Sequence, residues 1–193
     1  MPEPDMKKLA EGRTALERWQ TPAEFTAKID ELADLVESEP LFNLTGVQFL
    51  LDAMILGMFA EYRPTESIRL AGEKDQWPDG YTGTEKTPVN VEVTEVLEEG
   101  RKRGQEYRND AQPLDGNAED WRKRAQAIPG QLEKAIKRKK QKGYGKNCTL
   151  VIYLNMSNYG VLQKETEAAI AAVKAKYAGD FQEICVLWQM KLL

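Results

Sequence analysis

The pattern of apolar and polar positions predicts helices in the first third of the chain and a mixture of strands and helices after it. Apolar residues recur at helical spacing in segments 5–20, 21–39 and 46–61. The third segment is apolar almost all round, which is typical of a helix buried in a core. The Thr-Pro pair at residues 21 and 22 is a helix-start signal, with Thr as the N-cap and Pro in the first turn.

From residue 67 the pattern changes to short apolar runs separated by turn residues. Strands are predicted at 67–70, 81–84, 89–97, 148–154 and 184–188, and helices at 118–140 and 165–178. Pro129-Gly130 is expected to break or kink the first of these helices. The order predicts an antiparallel meander followed by parallel strands joined through helices. The expected fold is α/β (α+β), with a mixed central sheet flanked by helices.

The composition of the 193 residues, 41% apolar and 30% charged, is typical of a globular protein. The charged N-terminus does not resemble a signal peptide, and segment 47–60 is too short to span a bilayer. We therefore expect a cytoplasmic protein. Cys148 and Cys185 lie in apolar strand-like runs, so they are predicted to be reduced core residues.

The chain contains no histidine. This excludes Ser-His-Asp and Cys-His catalysis, zinc sites with histidine ligands, and nucleases that use a histidine base. Any chemistry must depend on carboxylates, lysines or a metal ion.

The net charge of −4 conceals a strong asymmetry along the chain. Residues 101–146 contain 14 Lys or Arg and 6 Asp or Glu, a net charge of +8, which leaves −12 for the remainder. A basic segment on an acidic chain suggests an anionic partner, and nucleic acid is the usual one. The alternative is a solvated helix face with surplus lysines.

Two acidic residues stand out by their positions, because Asp79 follows Pro78 in a turn and Glu92 lies in the middle of a predicted strand. Strand side chains alternate between faces, so Asn90, Glu92 and Thr94 share the face opposite the valines. A carboxylate in mid-strand must be solvated, paired or bound to metal. Either the two residues hold one divalent ion, or Glu92 lies on a wet face and Asp79 is an ordinary turn residue.

The segment Pro78-Asp79, followed by Glu92-Val93-Thr94, resembles the motif of the PD-(D/E)XK nuclease superfamily, the restriction-endonuclease-like fold. That motif is an Asp near the start of the second strand, then a Glu or Asp and a Lys two residues apart on the third. The order of elements over residues 45–154 agrees with the family core. Thr94 stands where the family has lysine. The chain as a whole looks like one of the small bacterial proteins placed in this superfamily. The resemblance implies an N-terminal helical extension (1–44) and a nuclease-like domain (45–193).

The resemblance implies Mg²⁺-dependent (or Mn²⁺-dependent) endonuclease hydrolysis of phosphodiester bonds in DNA. Asp79 and Glu92 would hold the ion, and Glu61 stands where many members place an extra acidic residue. Lys134, from the helix after the third strand, would supply the missing lysine, and Gln131 is similar to a helix glutamine of some branches.

The basic residues expected to contact phosphates are Arg101, Lys102, Arg103, Arg108, Lys137 and Arg138. Two alternatives remain open. One is an inactive nuclease fold that binds nucleic acid or a protein partner, which the absence of the strand lysine favours. The other is an interaction protein, such as a homodimer, assembled through the apolar face of Phe25, Ile29 and Leu32.

Overall fold

The structure is a computed structural model that describes residues 4–36, 41, 44–101 and 117–193. Its helices are α1 (Met6–Leu16), α2 (Pro22–Ala33), α3 (Phe49–Tyr62), α4 (Ala118–Gln141) and α5 (Gln163–Tyr177), with a 3-10 helix at Gly145–Asn147. Its strands are β1 (Ser67–Leu70), β2 (Gly80–Gly83), β3 (Pro88–Leu97), β4 (Cys148–Asn155), β5 (Glu183–Trp188) and β6 (Lys191–Leu192).

The six strands form one mixed sheet in the order β1-β2-β3-β4-β5-β6. The pairs β1–β2 and β2–β3 are antiparallel, as expected of a meander, and β4–β5 is parallel with α5 between the two strands. The predicted fold class, a mixed sheet flanked by helices, is therefore confirmed. The strand that the sequence pattern missed is β6, whose two residues are too few to show any alternation.

The chain divides into two compact units, and the division falls within β3. Unit 1 contains the described residues up to Val93, and unit 2 contains those from Thr94 onward. The domain boundary predicted at residues 44 and 45 stays a prediction.

In unit 1, α2 packs between α1 and α3. It begins with a capping box, in which Thr21 and Glu24 satisfy each other's backbone N–H groups. The side chains of Phe25, Ile29 and Leu32 are at most 5% exposed. The apolar face that was considered for assembly is therefore covered by the chain's own residues. The helix ends at Ala33, earlier than the pattern predicted.

In unit 1, α3 packs against β2 of the antiparallel meander β1–β3. A Cβ atom on Gly80 would lie 2.4 Å from Leu56 Cδ2 and 2.9 Å from the carbonyl oxygen of Arg69. Only glycine fits at this close approach, so the Gly after Asp79 serves helix–sheet packing rather than a turn. β2 consequently begins at the residue that follows Asp79.

Unit 2 buries one face of α4 against β4, β5 and α5. Its apolar stripe includes Ile128, Leu132 and Ile136, each 0% exposed. Of the two predicted effects of Pro129-Gly130, the break is wrong, because α4 continues through both residues, and the kink stays a prediction. A mid-helix proline costs about 3 kcal/mol. The proline is flanked by the buried side chains of Ile128, Leu132 and Ile136. Their burial stabilises the fold by about 1.5–3 kcal/mol each, which together exceeds that cost.

Cys148 and Cys185 are buried and form no disulfide, as predicted. Among the helices that the structure describes, none combines the length and the apolar character needed to cross a bilayer.

Candidate functional site

Asp79 is fixed to β3 through both its backbone and its side chain. Its backbone N–H donates to the carbonyl oxygen of Val91 at 3.1 Å. Its Oδ2 accepts the backbone N–H of Val93 at 2.8 Å. The side chain thus bonds to the neighbouring strand and not to its own turn, which is more than the role of an ordinary turn residue. One carboxylate oxygen, Oδ1, remains for another ligand, since a carboxylate has about four acceptor sites.

These two bonds lie on either side of Glu92 in the sequence of β3. The β2–β3 register ends at the pair Gly80–Val91, and Asp79 directly precedes β2. Only 2% of Glu92 is exposed. The interpretation of Glu92 as a solvated residue on a wet face is therefore wrong, and its carboxylate needs compensation inside the protein.

Asp79 also lines a polar pocket of about 220 Å³ in unit 1. Asp52 of α3 and Asp75 of the loop before β2 line the same pocket, together with Arg13 and Gln48. Asp75 is committed in part to its loop, because its Oδ2 accepts the N–H of Gly72 at 2.9 Å. The pocket gives Asp79 access to solvent, and its lining contains three aspartates and one arginine.

Asp79 and Glu92 fit a hard divalent ion by their chemistry. Carboxylate oxygens are the ligands that Mg²⁺ prefers, and the ion commonly keeps several waters beside one or two carboxylates. In the described parts of the chain no three carboxylate or thiol side chains are grouped closely enough to hold a metal. Glu61, predicted as a third ligand, is exposed at the end of α3 and does not join such a group.

In unit 2, Thr94 is 7% exposed and contacts a cation. Its Oγ1 accepts a hydrogen bond from Arg138 Nη2 at 3.2 Å. The position at which the motif resemblance expects a lysine is therefore contacted by a guanidinium from α4. The sequence prediction named Lys134 for this purpose. Arg138 lies four residues later, hence on the same helix face one turn further.

Gln131, Lys134 and Arg138 line one pocket of about 280 Å³ in unit 2. The other wall is the end of β3 and the residues after it, including Glu95 and Arg101. The structure thus brings the two helix residues of the predicted site together in a single pocket and adds Arg138 to them.

Three carboxylates line this pocket, and two of them, Glu95 and Glu98, have partners within unit 2, while Glu99 is exposed. Glu95 Oε1 accepts from Asn155 Nδ2 at 3.0 Å, and Glu98 forms an ion pair with Arg124 at 3.1 Å. Lys134 and Arg138 are exposed and form no ion pair with the residues that the structure describes. They are the two available cations on the α4 side of the pocket.

Two other lysines near the C-terminal end of α4, Lys137 and Lys140, are ion-paired. Glu133 accepts from Lys137 at 2.7 Å, from Lys176 at 2.8 Å and from the Tyr177 hydroxyl at 2.9 Å. These donors, the two lysines first, lower the pKa of Glu133 to about 2. Lys140 pairs with Asp180 at 3.0 Å.

The predicted phosphate-contacting residues therefore differ in their surroundings. Arg138 and Arg101 line the pocket, and Arg101 Nη1 also donates to the carbonyl oxygen of Asn155 at 3.1 Å. Lys137 belongs to the ion-paired group around Glu133. Lys102, Arg103 and Arg108 lie outside the described residues.

Sequence reasoning missed several residues that line the two pockets. A signal existed for the link between Arg138 and Lys134, whose spacing of four puts them on one helix face. No sequence signal connects Arg13 of α1 or Asp52 of α3 with Asp79, because only the packing of unit 1 brings them to the same pocket.

The chain matches no protein-family model, no curated protein and no solved structure.

Proposed function

We propose that the protein is a metal-dependent endonuclease that hydrolyses phosphodiester bonds in DNA. The observation that carries this proposal is the attachment of Asp79 to β3 on both sides of Glu92, combined with the burial of Glu92. Locked carboxylates lose little conformational entropy when they bind an ion, which favours a defined metal site.

In this proposal Asp79 and Glu92 hold Mg²⁺ or Mn²⁺. Such an ion polarises a phosphoryl oxygen and lowers the pKa of a bound water, so that hydrolysis can proceed at neutral pH without histidine. Asp79 contributes Oδ1, while Oδ2 keeps its hydrogen bond to Val93 and fixes the carboxylate plane. Lys134 and Arg138, within unit 2, are proposed to bind phosphate groups of the DNA, a role for which both side-chain types are suited.

One observation favours a second candidate function, binding of nucleic acid without cleavage. Thr94 carries no positive charge of its own, and the nearest charged partner in unit 2 is Arg138, which it contacts through one bond of 3.2 Å. A nuclease fold that has lost catalysis would keep its basic pocket and bind nucleic acid through it, and this binding would not require a metal ion.

Metal titration of matched variants tests the proposal. Calorimetry with Mg²⁺ and Mn²⁺ compares the wild type with Asp79→Asn and Glu92→Gln, which keep side-chain size and remove one charge. We expect metal affinity to fall at least about tenfold in each variant, because each loses a charged ligand. Cleavage of plasmid and single-stranded DNA should be lost in both.

Asp75→Asn is the control, since Asp75 lines the same pocket as Asp79 but bonds to its own loop. It should retain metal binding and cleavage. Absence of metal binding by the wild type would overturn the proposal. Equal losses in Asp75→Asn and Asp79→Asn would show that general negative charge, and not this pair, attracts the ion.

A further inference from the structure

Four cations near the C-terminal end of α4 fall into two groups by their surroundings. Glu133 and Asp180 neutralise Lys137 and Lys140, at 2.7 and 3.0 Å. Lys134 and Arg138 instead line the pocket of unit 2 and have no carboxylate partner among the described residues. Lys137 and Arg138 are adjacent in the sequence but belong to different groups, so the composition of the helix does not show which cations are ion-paired.

We propose that Lys134, Arg138 and Gln131 form a binding site for the phosphate groups of a nucleic-acid strand, and that the ion-paired Lys137 and Lys140 take no part. The identity of the strand as substrate rests on the proposed function, but the binding itself requires neither metal nor cleavage.

The geometry suits an extended polyanion. Residues 131, 134 and 138 are one turn apart in succession, so they span about 10 Å along the helix axis. Lysine and arginine donate to phosphate oxygens from several directions, and a glutamine amide adds a neutral donor. A row of such donors along a helix can follow a phosphate backbone, whereas one compact anion would need donors that converge on a point.

The site is also prepared by its surroundings. Thr94 Oγ1 accepts one N–H of Arg138 and leaves the other guanidinium donors for a ligand. Two of the pocket's three carboxylates, Glu95 and Glu98, are held by Asn155 and Arg124, which limits their repulsion of an anion, and the third, Glu99, is exposed to solvent. Contacts to phosphate carry no sequence information, so we expect this site to bind strands of different sequence similarly.

The test measures binding of fluorescent single-stranded and double-stranded oligonucleotides by anisotropy, in EDTA and at several salt concentrations. The variant Lys134→Gln/Arg138→Gln is compared with Lys137→Gln/Lys140→Gln, which removes the same charge from the same helix. We expect the first to bind at least about tenfold more weakly and to lower the slope of log K against log salt by about 2. The second should remain within about threefold of the wild type.

A third variant, Arg138→Lys, keeps the positive charge and should retain most of the wild-type affinity that the variant Lys134→Gln/Arg138→Gln loses. This result would assign the effect of residue 138 to its contact with phosphate and not to a structural role. Circular dichroism confirms folding of each variant. Competition by inorganic phosphate at the same ionic strength tests for a compact-anion site, and displacement of the oligonucleotide by low phosphate concentrations would overturn the extended-strand proposal. Equal losses in the two double variants would overturn it as well.

The outcome is independent of the metal titration. Loss of oligonucleotide binding in Lys134→Gln/Arg138→Gln, without any metal binding by the wild type, would support this site and refute the nuclease. Metal-dependent cleavage with both double variants unaffected would support the nuclease and refute this site. Retention on an acidic polypeptide but not on oligonucleotides would assign the pocket to a protein partner and refute it too.

Discussion

Unit 1 and unit 2 hold charge in opposite ways. In unit 1, Asp79 is hydrogen-bonded to the backbone of β3 on both sides of Glu92, and Glu92 itself is only 2% exposed. In unit 2, Lys134 and Arg138 remain on the exposed side of a helix. Carboxylates that are buried or fixed by hydrogen bonds suit a small ion that requires fixed geometry. Exposed cations suit a strand whose sequence and conformation vary.

The largest expected effect is a double dissociation between the two units. Glu92→Gln should lower the cleavage rate by about 100-fold to 1000-fold, because metal catalysis contributes several kcal/mol. In EDTA its affinity for DNA should stay within about twofold of the wild type. Lys134→Gln/Arg138→Gln should show the reverse, with weakened DNA binding and unchanged affinity for Mg²⁺.

Cleavage assays, anisotropy and calorimetry on the same preparations check this prediction. If Glu92→Gln also lost metal-free DNA binding, the division of labour between the units would be wrong. If both variants kept full cleavage, neither charge pair would belong to a catalytic site.

The next prediction separates the two roles of Asp79. Asp79→Ala removes the charge and also the acceptor of the Val93 N–H, whereas Asp79→Asn keeps an oxygen acceptor. An unsatisfied backbone N–H costs about 1–3 kcal/mol. We therefore expect Asp79→Ala to lower the free energy of unfolding by that amount relative to Asp79→Asn, as measured by urea denaturation in EDTA. Equal stability of the two variants would mean that the bond to Val93 contributes nothing to the fold.

The ion-paired surface of α4 gives a pH-dependent prediction. The pKa of Glu133 is lowered to about 2 by Lys137, Lys176 and Tyr177, so the folded state favours its ionised form. A lowered pKa stabilises the fold above the unfolded value near 4.5, and this stabilisation is lost as the pH falls towards 2. The carboxyl carbon of Glu133, followed by NMR, should therefore titrate near pH 2. A midpoint near 4.5 would show that its lysines are not held there.

Glu133→Gln sharpens the same comparison. It removes the carboxylate that pairs with Lys137 and Lys176, so both lysines become available to an anion. We expect a modest gain in DNA affinity, about twofold to tenfold, with a steeper salt dependence. Unchanged binding would mean that pairing with Glu133 is not what keeps these lysines from DNA.

The sequence predicted most of the fold because the elements concerned carry local signals. The N-cap at Thr21 and the alternation of valines with polar residues around Glu92 are visible in neighbouring residues of the sequence. The course of α4 through Pro129 was not predictable in this way, since the burial of Ile128 and Leu132 by distant elements outweighs the local penalty.

The candidate site was predictable only in part for the same reason. Asp79 and Glu92 were found from a strand pattern and a motif, and two hydrogen bonds attach Asp79 to the residues on either side of Glu92. Which basic residues are available was not predictable, because it depends on carboxylates far away in the sequence. Asp180, for example, neutralises Lys140 from forty residues away.

The smallest expected effect concerns Thr94. Its substitution tests whether DNA binding requires the hydrogen bond that positions Arg138, or only the positive charge of Arg138. Thr94→Val has the same shape but lacks the hydroxyl that accepts the Arg138 N–H. Loss of one such bond costs about 0.5–1.5 kcal/mol, and the exposed guanidinium can bond to water instead, so we expect DNA affinity to fall about twofold to fivefold. The salt slope should not change, because no charge is removed, and Thr94→Ser should behave as the wild type. If Thr94→Val bound DNA as well as the wild type did, the charge of Arg138 alone would be sufficient, and β3 would contribute to unit 2 only as a wall of its pocket.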